Sequence, residues 1–466
     1  MKKPNFDNEL FRKLGRTADE LKVDLYIVGG YVRDRYLGRP NDKDIDFVVV
    51  GDGPEFAKKA ADSLGAKKVA VYKQFGTAMI RYREYTLEFV GARKESYRGD
   101  SRNPNVESAD LQSDLTRRDF TINAMAISLN RDRYGELVDP FHGQEDLKSG
   151  MLQTPLDPVQ TFYDDPLRIM RAVRFATQLN FDIDEKTRQA LSSETHRLEI
   201  ISQERITDEL LKIILAKKPS AGFLLMDESG ILDVVLPEIA KLKGVDQVGK
   251  HRHKDVFYHT LQVLDNLAHK SDKLELRIAA LYHDVAKPAT KAYDDIAGWT
   301  FHGHEEVGAR MFRGIGRRLK LSNETISYVM KLIRLHLRPI HLSEDGVTDS
   351  AIRRLIFKAG DDIDDLLMLC RADITSGNPK RVRKHLANFD YVEQRVAEVE
   401  EKDRLRNFQP PVRGDEIMEV LNLTPGPSVG KIKNAIEEAI LNGDIPNEHD
   451  AAFDYMMRVK NELLAS

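Results

Sequence analysis

The sequence predicts a multidomain protein with an α+β head followed by three all-α regions. Two short apolar runs, 25–28 and 47–50, and three further strand-like runs between residues 68 and 90 favour a mixed sheet in the head. Beyond the head, amphipathic stretches with helical spacing take over. The expected domains are 1–142, 143–245, 246–378 and 379–466, which is reasonable for a chain of 466 residues.

The composition narrows the class of protein. A single cysteine, Cys370, excludes intrachain disulfides and favours a reducing compartment. The N-terminal MKKPNFDNEL lacks the apolar run of a signal peptide, and no segment is apolar over the length that a bilayer requires. The net charge of −4 argues against nucleic-acid binding over the whole surface, so local basic clusters are the better guide to a binding site. We therefore expect a cytoplasmic protein with no membrane partner.

The first candidate site lies between the two apolar runs, where Gly29-Gly30 is followed by Arg33 and then by Asp44 and Asp46. Because side chains alternate along a strand, Asp44 and Asp46 share one face. Their repulsion favours a bound cation, and Mg²⁺ takes carboxylate and phosphate oxygens together. A Gly-Gly turn offers backbone N–H groups to phosphate, and Arg33 adds positive charge. The ordered set predicts a Mg²⁺-dependent nucleotide site.

The motif GGYVRD followed by DKDID resembles the class II tRNA nucleotidyltransferases, which include the CCA-adding enzymes and bacterial poly(A) polymerases. The segments LEFVGARKESY and RRDFTINAMA extend the resemblance. It implies a polymerase-β-like head, a third catalytic carboxylate at Glu88 and a nucleotide contact at Arg118, on a helix with Arg117. The alternative for Glu88 is an ordinary solvent-facing glutamate. Residues 93–113 are polar and predict an irregular loop, in which the resemblance implies a flexible element that helps to switch nucleotide preference.

A predicted helix from 164 onward carries a candidate base-reading pair, Asp165 and Arg168. Residues three apart are neighbours on a helix surface. A carboxylate beside a guanidinium complements the Watson–Crick edges of C and A and leaves unpaired groups against G and U. The alternative is a weak surface ion pair. Arg171 and Arg174 continue at steps of three that drift around the helix, so we assign them to phosphates or ribose.

Two other residues of the neck are assigned to structure. Phe175 belongs to the apolar set of the same helix and is expected in the core. Glu209, together with Glu204 and Arg205, resembles the neck motif of the family, and we expect that motif to have a structural role.

A second constellation follows in amphipathic helical stretches. Its residues are His259, His283, Asp284, His304, His336 and Asp373. Imidazoles and carboxylates that converge in a helical bundle suit divalent transition metals, and one or two ions could activate water. The order resembles HD-superfamily phosphohydrolases, which implies hydrolysis of phosphomonoesters or 2′,3′-cyclic phosphates. The sequence does not decide whether the metal is Ni, Mn, Fe or Co, or whether the site is degenerate. Ala286 departs from the HDxGK pattern that is usual in this superfamily. Lys287 could contact a phosphate.

The tail from 379 onward predicts charged helices. The turn Pro425-Gly426-Pro427 precedes a helix, and it is either an RNA-phosphate cradle, as the resemblance implies, or a plain Pro-Gly turn.

The resemblance implies template-independent addition of C, C and A to the 3′ end of tRNA from CTP and ATP with two Mg²⁺, by a monomer or homodimer. HD-domain phosphohydrolysis is a candidate second activity. The alternatives are a poly(A) polymerase, an A-only or CC-only adding enzyme, a metal-dependent phosphohydrolase with a non-catalytic head, and a non-catalytic RNA-binding module.

Overall fold

The computed structural model divides the chain into two compact units, Met1–Pro237 and Glu238–Ser466. It describes residues 4–39, 43–72, 76–98, 101–247, 254–296, 298–344, 348–375, 378–403 and 411–465. Within those ranges, no helix has both the length and the apolar character that crossing a membrane requires. The finer division into four domains stays a prediction.

The first unit is built on a mixed sheet. The strands of this unit are β1 (Asp24–Val28), β2 (Asp44–Val50), β3 (Val69–Tyr72), β4 (Thr77–Tyr82), β5 (Tyr85–Gly91), β6 (Arg93–Arg98), β7 (Ser101–Ser108), β8 (Ala126–Ser128), β9 (Leu137–Val138), β10 (Met151–Leu152) and β11 (Asp182–Ile183). Seven of them form the main sheet, in the order β3-β4-β5-β2-β1-β8-β9. Strands β2 and β5 run parallel, whereas β1 and β2 run antiparallel. The mixed sheet with helices confirms the predicted α+β head.

Aromatic side chains form the core on the apolar face of the central strands. Phe47 of β2 and Phe89 of β5 are paired in register, and their rings stack with centroids 4.8 Å apart. Phe56 and Phe11 pack against this pair from two helices of the head. Because side chains alternate along a strand, Asp46 and Glu88, which directly precede the buried phenylalanines, lie on the opposite face.

The predicted loop at 93–113 is wrong in its larger part. Strands β6 and β7 form an antiparallel ladder there, and a helix starts at Leu111. A backbone hydrogen bond of 3.0 Å from Ala109 to Ala92 closes the base of the ladder. The strand residues are mostly polar, so they lack the alternation of apolar side chains from which strands are recognised in a sequence.

Helices surround the sheet and form the rest of the first unit. They are α1 (Glu9–Leu21), α2 (Gly30–Tyr36), α3 (Gly53–Leu64), α4 (Leu111–Thr116), α5 (Gly143–Ser149), α6 (Pro158–Asp164), α7 (Leu167–Leu179), α8 (Glu185–Glu194), α9 (Gln203–Ile214), α10 (Pro219–Glu228) and α11 (Ile231–Val235). Helix α7 packs against α9 and α10. Gly222 of α10 permits this close packing, because an added Cβ would lie 2.6 Å from Thr177 Oγ1 and from Ile213 Cγ2.

The second unit is largely helical, as predicted. Its helices are α12 (Pro237–Ala240, which starts at the end of the first unit), α13 (Val256–Ala268), α14 (Leu274–Tyr282), α15 (Lys287–Thr290), α16 (His304–Arg318), α17 (Asn323–Leu335), α18 (Leu337–Glu344), α19 (Asp349–Ala359), α20 (Ile363–Asp373), α21 (Pro379–Asp403), α22 (Gly414–Leu421), α23 (Pro427–Asn442) and α24 (His449–Ala465). Short antiparallel pairs interrupt them: β12 (Asp246–Gln247) with β13 (Lys254–Asp255), and β14 (Ala292–Asp294) with β15 (Gly298–Thr300). Helices α16 and α17 approach closely at Gly316, where a Cβ would lie 2.6 Å from Ile326 Cγ1.

Candidate functional site

Three carboxylates lie on one face of the sheet, on the neighbouring strands β2 and β5. Asp44 and Asp46 alternate with buried residues along β2, and Glu88 of β5 is the register partner of Asp46. Burial raises the pKa of Glu88, and the negative charges of Asp46 and Asp44 raise it further. The structure therefore brings the three predicted catalytic residues together.

The Gly29-Gly30 turn lies directly beside the Asp46 carboxylate. Gly29 has φ +71°, and a Cβ built on it would lie 3.4 Å from Arg118 Nη1 and 3.5 Å from Asp46 Oδ2. A side chain would thus be strained and would fill the space between a carboxylate and a guanidinium. That space suits an anionic group bridged to the carboxylates by a divalent cation, because hard cations take carboxylate and phosphate oxygens together.

A cavity of about 830 Å³, which we call the head cleft, opens at this turn. Its lining residues are Gly29, Gly30, Arg33, Asp34, Arg39, Asp46, Arg118, Asp119, Asn123, Arg171, Arg174, Phe175, Gln178, Leu215, Ala216 and Lys217. Six of the eight predicted nucleotide-binding residues are in this set. Asp165 and Arg168 are not, and neither are Asp44 and Glu88.

Three arginines of the head cleft surround one aromatic ring. The guanidinium carbons of Arg33, Arg171 and Arg174 lie 4.9, 5.3 and 4.1 Å from the ring centroid of Phe175. Phe175 is only 4% exposed, so the expectation of a buried residue holds, but the ring also lines the cleft and holds cationic side chains in place. The arginines one and four residues before Phe175 are the sequence signal that could have found this role.

Buried carboxylates fix two of these arginines. Asp119 accepts a hydrogen bond of 2.8 Å from Arg171 Nε, and Glu209 lies 2.8 Å from Arg174 Nε. Burial opposes ionisation of Asp119, yet Arg171 and Asn123 hold its pKa at about 2. Burial lowers the pKa of Arg174 to about 10, while Glu209 opposes that shift. Glu209 therefore positions a cleft residue.

Asp114 anchors the arginine pair that follows α4. Its two carboxylate oxygens lie 2.6 Å from Arg117 Nη2 and 3.0 Å from Arg118 Nη2. The helix expected to carry both arginines ends at Thr116, so they lie in the turn after it. Asp114 is buried and was missed, although the arginines follow it at i+3 and i+4, a spacing that could have indicated the pairing.

The geometry predicted for the base-reading pair is wrong. Asp165 has φ −136° and ψ 97°, outside helix α7, because Pro166 disfavours a helical conformation in the residue before it. Its carboxylate accepts a hydrogen bond of 3.2 Å from the Leu167 N–H and lies 3.7 Å from Arg205 Nη2. Arg168 is buried and donates to the carbonyl of Arg117 at 2.7 Å. In this conformation the two side chains do not face each other as an i,i+3 helix pair.

The six predicted metal ligands of the second unit form two adjacent groups, which we call the HD centre. His259, His283 and Asp373 form one group, and Asp284, His304 and His336 form the other; within each group the ligand atoms lie within 4.8 Å of one another. The Asp284 carboxylate also lies 3.2 Å from His283 Nε2, which joins the groups.

Hydrogen bonds orient the imidazoles of the HD centre. The Nδ1 atoms of His283, His304 and His336 pair with the backbone carbonyls of residues 280, 301 and 333 at 2.7–2.8 Å. Each Nδ1 therefore carries a proton, which leaves Nε2 as the nitrogen of each ring that can bind a metal. These three buried Nε2 atoms make no hydrogen bond. The donor set fits divalent metal binding.

Two further predictions concern the residues after Asp284. Lys287 Nζ lies 2.7 Å from Asp284 Oδ2, so in this structure it contacts a ligand carboxylate, and its contact with a phosphate stays a prediction. Ala286 is fully buried, in keeping with an effect on packing rather than on ligands. In the tail, Pro425-Gly426 precedes the N-terminus of α23, and its phosphate-binding role likewise stays a prediction.

Three family models match the chain. They are described as "Poly A polymerase head domain" over residues 25–153, "Probable RNA and SrmB- binding site of polymerase A" over 180–243, and "HD domain" over 256–376. The head and HD matches imply dependence on divalent metal.

Relatives with related names resemble most of the chain. An A-adding tRNA nucleotidyltransferase of Deinococcus radiodurans is 35% identical, with 73% of this chain and 78% of the relative covered. A CC-adding tRNA nucleotidyltransferase of Thermus thermophilus is 31% identical over 95% and 96%. A multifunctional CCA protein of Laribacter hongkongensis is 34% identical over 75% and 84%.

The fold also resembles a solved structure over its full length. A Bacillus stearothermophilus CCA-adding enzyme in complex with CTP has a TM-score of 0.69, with 98% of this chain and 99% of that chain covered at 23% identity.

Proposed function

The chain belongs to the tRNA nucleotidyltransferase family, and we propose that it adds C, C and A to the 3′ end of tRNA from CTP and ATP with Mg²⁺. One observation carries the proposal. The head cleft brings the Gly29-Gly30 turn and the Asp46 carboxylate together with four arginines, Arg33, Arg118, Arg171 and Arg174. A triphosphate requires this combination of backbone donors, guanidinium groups and carboxylates that can hold a cation.

In the reaction, the RNA 3′-hydroxyl oxygen forms a bond to the α-phosphorus, and the bond from that phosphorus to the pyrophosphate breaks. Mg²⁺ ions on Asp44 and Asp46 would supply charge compensation and a more acidic hydroxyl. Glu88, beside Asp46, has a raised pKa and is the group placed to accept the hydroxyl proton. The proton and the pyrophosphate then leave to solvent.

The arginines of the head cleft hold the triphosphate and ribose. Asp119 and Glu209 keep Arg171 and Arg174 in fixed positions before the nucleotide arrives, which reduces the entropic cost of binding. Base reading falls to Asp165 and Arg168. In this structure Asp165 pairs with Arg205, and Arg168 donates to the Arg117 carbonyl. Base reading requires both side chains to exchange these partners for the Watson–Crick edge of a bound C or A.

Primer extension at single-nucleotide resolution tests the proposal. The substrates are transcripts of one tRNA that end before the CCA, after the first C and after the second C. Each is offered CTP, ATP, both, or GTP with UTP. We expect two C from CTP, one A after the second C, and no use of G or U. Asp46→Asn is the control for dependence on the head cleft.

The same assay decides among the family alternatives. Relatives named A-adding and CC-adding show that the nucleotide set differs within this family. Extension of only the CC-ended transcript would identify an A-adding enzyme. Arrest after two C in the presence of both CTP and ATP would identify an enzyme that adds only C. A long ladder with ATP alone would identify a poly(A) polymerase.

A second activity is favoured by the three orphaned Nε2 atoms of the HD centre. We propose that this centre binds Ni, Mn, Fe or Co and hydrolyses phosphomonoesters or 2′,3′-cyclic phosphates. Water oxygen adds to phosphorus, the ester P–O bond breaks, and the departing alkoxide takes a proton. Metal analysis of the wild-type protein and of His304→Ala, with hydrolysis measured on both substrate types, tests it. Equal metal content in the two proteins would refute the assignment.

A further inference from the structure

A short hairpin connects two metal-ligand segments of the HD centre. It consists of β14 and β15, and it runs from the end of α15 to Phe301. At one end, Lys287 of α15 lies 2.7 Å from the Asp284 carboxylate. At the other end, the Phe301 carbonyl accepts the Nδ1 hydrogen bond of His304 at 2.8 Å. Lys287 Nζ also lies 5.8 Å from the Phe301 ring centroid. The segments that flank the hairpin therefore contact Asp284 and His304, two members of the same candidate metal group.

The hairpin carries two aromatic rings on its surface. Tyr293 is 64% exposed and Trp299 is 39% exposed. They are cross-strand partners, with ring centroids 5.2 Å apart at an interplanar angle of 75°. Lys291 Nζ lies 4.5 Å from the Trp299 ring centroid. An aromatic cross-strand pair stabilises a short ladder, but stability alone does not require the rings to remain open to solvent.

We propose that Trp299 and Tyr293 form a nucleobase platform for the HD centre, on which the base of a bound nucleotide or RNA 3′ end stacks while its phosphate lies at the centre. The inference rests on the proposed hydrolase function. Exposed aromatic rings beside a cation are the surface on which bases stack, and stacking is tolerant of base identity. Lys291 adds the positive charge that suits a polyanionic ligand.

The reach of the hairpin fits this ligand. Trp299 is two residues from Phe301, which places their Cα atoms at most roughly 7 Å apart in an extended strand. A base and the phosphate of the same nucleotide are separated by one ribose. A phosphate at the HD centre therefore leaves its base within reach of the hairpin rings, whereas a phosphate ester without a base has nothing to place there.

Trp299 is the only tryptophan in the sequence, so its fluorescence reports on the hairpin alone. Stopped-flow mixing of the full-length metal-loaded protein with cytidine 3′-monophosphate records the signal before turnover. We expect saturable quenching by the nucleotide and none by glycerol 2-phosphate. Glycerol 2-phosphate should nevertheless raise the nucleotide concentration needed for half-quenching. Absence of quenching by the nucleotide would overturn the platform.

Steady-state kinetics provides a second test. The quantity is kcat/KM for the nucleotide divided by kcat/KM for glycerol 2-phosphate. Trp299→Ala should lower this ratio roughly 5- to 100-fold, as expected for the loss of one base stack, and Trp299→Phe should largely restore it. Tyr391→Ala, which removes a ring that is 52% exposed on α21, is the matched control and should leave the ratio unchanged.

The outcomes separate the two proposals. A wild-type protein that hydrolyses neither substrate refutes the hydrolase function, while the fluorescence titration still decides whether a base binds the hairpin. A protein that hydrolyses both, with the same ratio in wild type and Trp299→Ala, refutes the platform and leaves the hydrolase intact.

Discussion

In the head cleft, Arg118, Arg171 and Arg174 each lie within 3.0 Å of a carboxylate oxygen. In the HD centre, the Nε2 atoms of His283, His304 and His336 lie at least 3.2 Å from the nearest carboxylate oxygen and make no hydrogen bond. In the first region, a carboxylate compensates the charge of each of these arginines before any ligand arrives. In the second, buried electron pairs lack a hydrogen-bond partner, and burial without a partner is costly.

This difference indicates two kinds of ligand. A site that is balanced on its own can release its nucleotide and metal in every cycle without losing stability. A site with orphaned imidazoles gains stability from an ion that stays bound.

Asp46→Asn should lower the rate of nucleotide addition at least about 10³-fold, because it removes a carboxylate at the point where charge develops in the reaction. The free energy of unfolding should stay the same or rise, since the change also relieves repulsion with Glu88. Single-turnover extension and chemical denaturation measure the two effects. A clearly destabilised variant would mean that Asp46 supports the fold and not only the reaction.

Chelation should distinguish the metals of the two regions. Removal of the ion from the HD centre should lower the Tm by on the order of 5–10 °C, which corresponds to about 3 kcal/mol of lost binding energy. Added Mg²⁺ should restore nucleotide addition without restoring that Tm. Differential scanning calorimetry of treated and untreated protein provides the measurement, and an unchanged Tm would contradict a resident metal.

Glu209→Gln should raise the KM for nucleotide and lower the free energy of unfolding by about 1–3 kcal/mol, because Arg174 loses a buried anionic partner. Glu228→Gln is the matched control. Its partner Arg188 lies 3.3 Å away on the surface, so the cost should stay below about 1 kcal/mol. Equal costs for the two variants would show that burial of the first pair has no consequence.

Acid should weaken the head through Asp119. Its pKa of about 2 lies below the usual 3.8, so the ionised form stabilises the folded state above pH 3.8, and that stability is lost as the pH falls toward 2. At pH 6 Asp119→Asn should therefore be about 2 kcal/mol less stable than wild type, and the gap should narrow below pH 3.8. Denaturant titrations across this range measure the gap; one that does not change with pH would rule out the Asp119–Arg171 pair as its cause.

The comparison also explains what could be predicted from sequence. The residues of the HD centre and the Gly-Gly and Asp44/Asp46 motifs could be predicted because their residue types and their order along the chain resemble known families. The carboxylate partners were not, since Arg174 and Glu209 are 35 positions apart and neither position indicates the other. Local spacing also failed at Asp165, where Pro166 overrides the helical pattern, and at β6–β7, whose polar residues lack strand alternation.

The most direct test places Asp46→Asn and His304→Ala in the same two assays, CCA addition to a truncated tRNA and hydrolysis of a 2′,3′-cyclic phosphate. We predict that Asp46→Asn loses addition and keeps hydrolysis, while His304→Ala loses hydrolysis and keeps addition of two C and one A. Loss of both activities in either variant, or addition that survives Asp46→Asn, would contradict two separate sites with different chemistry.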